Sequence, residues 1–175
     1  MRYPPQVETR AGMLDLALAG PADVDDVTAL YEETTAWIRA QGFDPGEAPR
    51  SMRAIVADRI ATGTVYVARL AGEAVATLTV LPEDAEVWGE RPDDALYIHG
   101  FGVSRAYAGQ EIGRTLLDWV ADVAAGAGRA YVRLDCEAGN RKLRDYYERA
   151  GFTYHGDATL PSHTGSRYEK PVEMR

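Results

Sequence analysis

The sequence predicts an α/β chain built on a mixed, mainly antiparallel sheet, and three observations carry that expectation. Residues 64–70 and 73–80 flank Ala71-Gly72, the pattern of two antiparallel strands joined by a two-residue turn. Residues 95–103 form an apolar run rich in aromatic and β-branched side chains, and from Ile112 the apolar positions Ile112, Leu116, Trp119, Val120 and Val123 change to helical spacing. Residues 130–136 alternate as a further strand, and a helix between two strands makes them parallel.

The remaining elements follow in order. Residues 13–17 read as a short strand broken by Gly20-Pro21. Asp23 stands at the N-cap of a helix to about Ala40, with Asp25 and Asp26 in the first turn, where carboxylates suit the helix dipole. Val24, Val27, Leu30, Tyr31, Thr34 and Ile38 give its buried face. Ser51 caps a second helix to Ala61, stopped by Gly63. Residues 81–94, with Pro82, Pro92 and Trp88, read as a polar loop whose tryptophan either pins it to the core or meets a substrate. Gly126 and Gly128 end the central helix. A last helix runs from Asn140 to Ala150 with Leu143, Tyr146, Tyr147 and Ala150 on one stripe, and Gly151 fits C′. Strands at 152–155 and 165–171 enclose a loop at 157–163.

Composition bounds the function. With 175 residues and 46% hydrophobic content, the chain suits one domain over residues 1–175. A net charge of -8 argues against nucleic acid as the partner, because phosphate neutralisation needs a basic face. The single cysteine, Cys136, forbids an intrachain disulfide and suits a reducing compartment. No run reaches 18 apolar residues and the first ten lack an apolar leader, so a soluble cytoplasmic protein without membrane partners is expected.

A strand feeding a glycine-bearing turn and a helix start gathers backbone N–H groups and the positive end of a dipole, which suits an anion. Gly109 and Gly113 open that backbone to close approach, although the same glycines also serve simply to shape a turn. Further on, residues 133–152 offer a strand end, then Asn140, then a helix closing on Tyr147, Glu148, Gly151 and Phe152. Over residues 95–152 these two blocks resemble the GNAT acetyltransferase superfamily, whose acetyl-CoA motif is a strand ending in valine, an Arg/Gln-x-x-Gly-x-Gly/Ala turn and a helix. Here the matching residues are Val103, Ala108, Gly109, Gln110, Glu111, Ile112 and Gly113. Two depart from the pattern: Ala108 replaces the usual Arg or Gln, and Glu111 replaces the first motif glycine. Glu111 brings a carboxylate toward a polyanion, and Arg114 lies three residues on, at pairing distance on a helix.

The resemblance implies a GNAT-like domain, a central sheet of six or seven strands with helices on both faces, and acetyl transfer from acetyl-CoA to a primary amine without an acyl-enzyme or a metal. It places the thioester and pantetheine against Phe101, Gly102 and Val103, and the phosphates against Gly109, Gln110, Glu111, Ile112, Gly113 and Arg114. Asn140 and Tyr147 complete the cofactor contacts, and Tyr147 is implied to be the general acid for the coenzyme A sulfur. A thiol near about 8.5 and a phenol near about 10 permit that transfer. His99 resembles the second strand histidine of arylalkylamine N-acetyltransferases, with Tyr97 in place of the first; Glu73, Glu86 and Asp135 are other candidate bases. The first two helices and residues 42–50, with Trp37 and Phe43, are implied to line the side of a small-molecule or peptide amine, and homodimers are common in the family.

Two other readings stand beside this one. A non-catalytic acyl-CoA-binding or sensing module is suggested by Ala108 and Glu111. Hydrolysis through Cys136 or Ser162-His163 is disfavoured, because no Gly-x-Ser-x-Gly elbow surrounds the serine and the cysteine lacks a neighbouring base in sequence.

Overall fold

The computed structural model describes residues 6–45 and 50–173. The chain divides into two compact units: one holds the described residues up to Thr79 together with Gly100–Leu116, the other Val80–His99 and the described residues from Leu117 onward. Eight strands occur among the described residues, against the six or seven expected.

In the first unit, β1 (Gln6–Thr9), β2 (Gly12–Leu18), β3 (Val65–Leu70) and β4 (Glu73–Leu81) pair antiparallel in sequence order. Strand β1 was not expected; its residues are half-buried or exposed, so no apolar alternation marks it. The β3–β4 turn is the anticipated one, with Ala71 at φ 48 and Gly72 at φ 87. Helices α1 (Val24–Ala40) and α2 (Met52–Ala61) bury Val24, Val27, Tyr31, Val56 and Ile60 against Val65 and Val67 of β3. Each such side chain contributes roughly 1.5–3 kcal/mol by leaving water. Ser51 caps α2 through Ala54 N–H as expected. Asp23 makes no cap bond to α1; its carboxylate turns back to Gly20 N–H at 2.8 Å and to Arg69 at 2.7 Å.

Strand β5 (Ala95–Val103) runs from one unit into the other. In the second unit its first half lies parallel to β6 (Tyr131–Glu137), as predicted, with Ala95↔Tyr131 to Ile98↔Leu134 in register. Strand β8 (Thr164–Pro171) sits antiparallel between β6 and β7 (Thr153–Thr159). A register shift between Tyr154 and Asp157 lets β7 continue through what the sequence suggested was loop.

Helix α4 (Ile112–Gly126) follows β5, and α5 (Arg141–Arg149) follows β6. The loop after β4 holds a single turn, α3 (Ala85–Trp88). In the second unit α5 packs Tyr147 against Phe152 and Tyr168, on the sheet face of Leu134. Helix α3 packs Trp88 on Tyr97, on the face of Arg133. Consecutive residues of β6 point to opposite faces, so helices cover both sides of this part of the sheet.

Arg133, placed by alternation in a strand, is 4% exposed. Burial alone would favour its neutral form, yet bonds to Glu169 (2.7 Å), Tyr97 (2.9 Å) and Asp94 (2.8 Å) hold it firmly protonated. Trp88 is buried beside it, which settles its place in the core.

Candidate active site

The predicted residues fall into two groups, one in each unit. In the first unit, β5 ends with Ser104 N–H donating to Val75 C=O at 2.8 Å. The β5–β6 ladder stops at Ile98↔Leu134, although β6 continues to Glu137 against β8. Phe101, Gly102 and Val103 therefore lie beyond that ladder. Gly100 has φ +52, and a Cβ there would run into the Tyr31 hydroxyl of α1. At Gly102 a Cβ would meet Thr34 Oγ1 at 2.5 Å. Only glycine admits α1 this close to the strand.

After a 3-10 turn at Arg105–Tyr107, Gly109 takes φ 78 and Glu111 φ 61. The first helical bond of α4 runs from Thr115 N–H to Glu111 C=O at 3.0 Å, so the N–H groups of Ile112, Gly113 and Arg114 precede the ladder. Glu111 thus holds a left-handed backbone that favours glycine, at a cost of about 1–2 kcal/mol. Its carboxylate is half-exposed and pairs with Arg10 Nε at 2.9 Å. Arg10 comes from the β1–β2 turn, about a hundred residues away in sequence, a pairing that spacing alone does not reveal.

In the second unit, Asn140 caps α5: its Oδ1 accepts from Leu143 N–H at 3.1 Å. Tyr147 lies on the buried stripe of α5 and is 6% exposed. Its hydroxyl makes no hydrogen bond among the described residues. Burial, then the neighbouring Cys136, Tyr146 and Asp135, push its ionisation well above the ordinary phenol range. Tyr147 is therefore a persistent proton carrier. Tyr146 is only half-buried and lies edge-on to Tyr147 at 5.5 Å. Cys136 is buried, and burial pushes its thiol up to about 12, which removes the thiolate a nucleophile needs.

His99 does not stand alone on its strand. Its Nε2 donates to Asp84 Oδ2 at 2.9 Å, and one atom each of Asp84, His99 and Asp135 lie within 4.8 Å of one another. Asp135, named as an alternative base, is thus beside His99. Burial raises its carboxyl above the usual range; His99 opposes the shift and Asp84 adds to it. Asp84 escaped the sequence reading, because a carboxylate 15 residues upstream in a polar loop carries no periodic signal. The Asp84-Ala85-Glu86-Val87 start of α3 was its available trace. Glu73 instead accepts from the Tyr107 hydroxyl at 3.0 Å.

In the first unit Trp37 is half-buried with the Arg105 guanidinium 4.6 Å above its ring. Residues 46–49 of the anticipated acceptor loop lie outside the described residues. No helix among the described residues is long and apolar enough to cross a membrane.

Residues 27–152 match the model of the acetyltransferase (GNAT) family. A similar curated protein is the uncharacterized N-acetyltransferase YesJ of Bacillus subtilis (strain 168), 28% identical over 141 residues, covering 77% of this chain and 78% of that one. The fold resembles a GNAT family acetyltransferase from Listeria monocytogenes 4b F2365, with TM-score 0.76 and 21% identity over 95% of this chain and 99% of that one. It also resembles RimL, a ribosomal L7/L12 alpha-N-protein acetyltransferase solved in complex with coenzyme A, with TM-score 0.68 and 18% identity over 99% of both chains.

Proposed function

Because the chain belongs to the acetyltransferase (GNAT) family, we propose that it moves an acetyl group from acetyl-CoA directly to a primary amine, with Tyr147 as general acid. The observation that carries this reading is Tyr147: the residue is 6% exposed and held protonated, yet its hydroxyl has no hydrogen-bond partner among the described residues and is not sealed from its surroundings. A structural tyrosine at that depth ordinarily has a partner. A departing thiolate is the partner a general acid waits for.

In this reading, the phosphates of acetyl-CoA take the N–H groups at the start of α4, with Gly109, Gln110, Glu111, Ile112, Gly113 and Arg114 around them. The pantetheine and the thioester carbonyl take backbone N–H groups of Phe101, Gly102 and Val103, which stabilise the developing oxyanion. Asn140 contacts the cofactor while capping α5, so its removal would affect both. His99 is the base that prepares the amine. Protonated at nitrogen, an amine of ordinary pKa needs roughly 4–5 kcal/mol to become neutral at pH 7. The chain works as one domain, in a soluble cytoplasmic setting and with no resident metal; pairing of two copies is compatible with this reading.

The sensing module remains the second reading, on Glu111. Against it stands Arg10, which offsets that carboxylate at 2.9 Å. The experiment is thiol release from acetyl-CoA across a panel of alkylamines, amino acids, aminoglycosides and N-terminal peptides, alongside thermal unfolding with acetyl-CoA. Amine-dependent release supports the enzyme; a raised melting temperature with no release from any amine supports the module; neither response refutes both.

A further inference from the structure

We propose that Asp84 is the positioning residue for His99, and that with Asp135 the pair forms an anionic seat that takes the proton of a cationic amine lacking an adjacent carboxylate. This rests on the acetyl-transfer reading above.

Asp84 is fixed at both oxygens. Oδ1 accepts from Val87 N–H at 3.3 Å, capping α3, and Oδ2 accepts from His99 Nε2 at 2.9 Å. Its side chain is only 8% exposed, against 31% for His99, so the carboxylate has little freedom to turn to water. A carboxylate on Nε2 favours the Nε2–H tautomer. It also stabilises the imidazolium once formed.

The charged groups beside the imidazole include Asp84 from the head of α3 and Asp135 from β6, with His163 of the β7–β8 loop acting on Asp135. No lysine or arginine ion-pairs with Asp135 among the described residues. Gly165 of β8 leaves it room, since a Cβ there would meet Asp135 Oδ2 at 2.9 Å. Two carboxylates beside one imidazole favour an ammonium and repel a substrate carboxylate held near the reacting nitrogen. Alkylamines and polyamines fit this seat; α-amino acids do not.

The protons balance. The ammonium gives one proton to His99, the neutral amine forms the C–N bond, and the C–S bond breaks. Tyr147 protonates the departing sulfur and recovers its proton from the new amide nitrogen. His99 then releases its proton to water.

The test has two arms on the full chain. In the first, nitrogen NMR of the histidines, with His99→Gln to assign the signal, reads tautomer and titration with no substrate present. The expected result is an Nε2–H tautomer whose midpoint falls by about one unit in Asp84→Asn. In the second, kcat/KM is measured against pH for an alkylamine and an α-amino acid. His99→Gln is expected to lose about a hundredfold, and Asp84→Asn about tenfold with the acid limb moved to lower pH. Asp135→Asn is expected to raise the alkylamine KM several-fold with little change in kcat. Thermal shift by acetyl-CoA should be the same in all variants. An unchanged tautomer and titration in Asp84→Asn overturns the positioning role. Turnover with unaltered pH profiles, or preference for α-amino acids, overturns the seat while leaving acetyl transfer standing. No turnover with any amine overturns acetyl transfer and the seat together.

Discussion

Replacing Glu111 by glycine probes the one residue that departs from the phosphate-loop pattern in both charge and backbone. Glu111 holds φ 61, so glycine relieves about 1–2 kcal/mol of left-handed strain. The freer unfolded chain of glycine offsets about 0.4–1 kcal/mol of that gain. Loss of the Arg10 pair removes at most about 1 kcal/mol, since both side chains are more than half exposed (72% and 53%) and screened by water. Stability without ligand should therefore change by no more than about 1.6 kcal/mol in either direction. Ligand binding should change more clearly. A carboxylate about 4 Å from one phosphate charge in water costs about 1 kcal/mol, and its removal also releases Arg10 toward the phosphates. Acetyl-CoA affinity should rise about five- to tenfold at low salt, and the gain should fade above roughly 0.5 M salt as screening shortens. Calorimetric titration of both proteins at two salt concentrations measures this. Unchanged affinity at low salt, or a loss of stability beyond about 2 kcal/mol, refutes the assignment of this loop and its strain.

Further outcomes follow from the same geometry. Gly100→Ala should destabilise by more than about 2 kcal/mol in chemical denaturation, since it combines φ +52 with a collision at the Tyr31 hydroxyl. Asn140→Ala should cost about 1 kcal/mol through the lost α5 cap, visible as a lower denaturation midpoint at unchanged slope. Asp135 has its folded pKa raised, so it binds its proton more tightly folded than unfolded. Its contribution is neutral below the ordinary carboxyl value and turns destabilising as pH rises from there through the raised value. Asp135→Asn should thus be more stable than the parent at pH 7, with the difference shrinking toward pH 3. Arg133→Met should destabilise by about 3–5 kcal/mol, because Glu169 is only 14% exposed and loses its guanidinium.

Local chemistry was legible in the sequence and distant pairing was not. The Ala71-Gly72 turn, β5, the Ser51 cap and α5 with Asn140 and Gly151 all rest on neighbours within a few residues, where backbone rules act directly. Tyr147 was found by its spacing from Gly151-Phe152, while its lack of a hydroxyl partner needed the fold. Arg10 beside Glu111 and Asp84 beside His99 were invisible because tertiary packing, not spacing, brings them together. Asp23 does stand at the N-cap of α1 as its position suggests, but Gly20 N–H and Arg69 take its carboxylate, a pairing that spacing does not reveal. Strand β7 extends beyond the strand its sequence suggests, because its exposed residues carry no apolar rhythm.

The most direct measurement is kcat and acetyl-CoA affinity of Tyr147→Phe against the parent, with whichever amine gives the fastest thiol release. Loss of the hydroxyl alone should lower kcat by about a hundredfold or more while acetyl-CoA affinity and the thermal shift stay within about twofold. A Phe variant that turns over at the parental rate contradicts the general-acid role and returns Tyr147 to the core of α5.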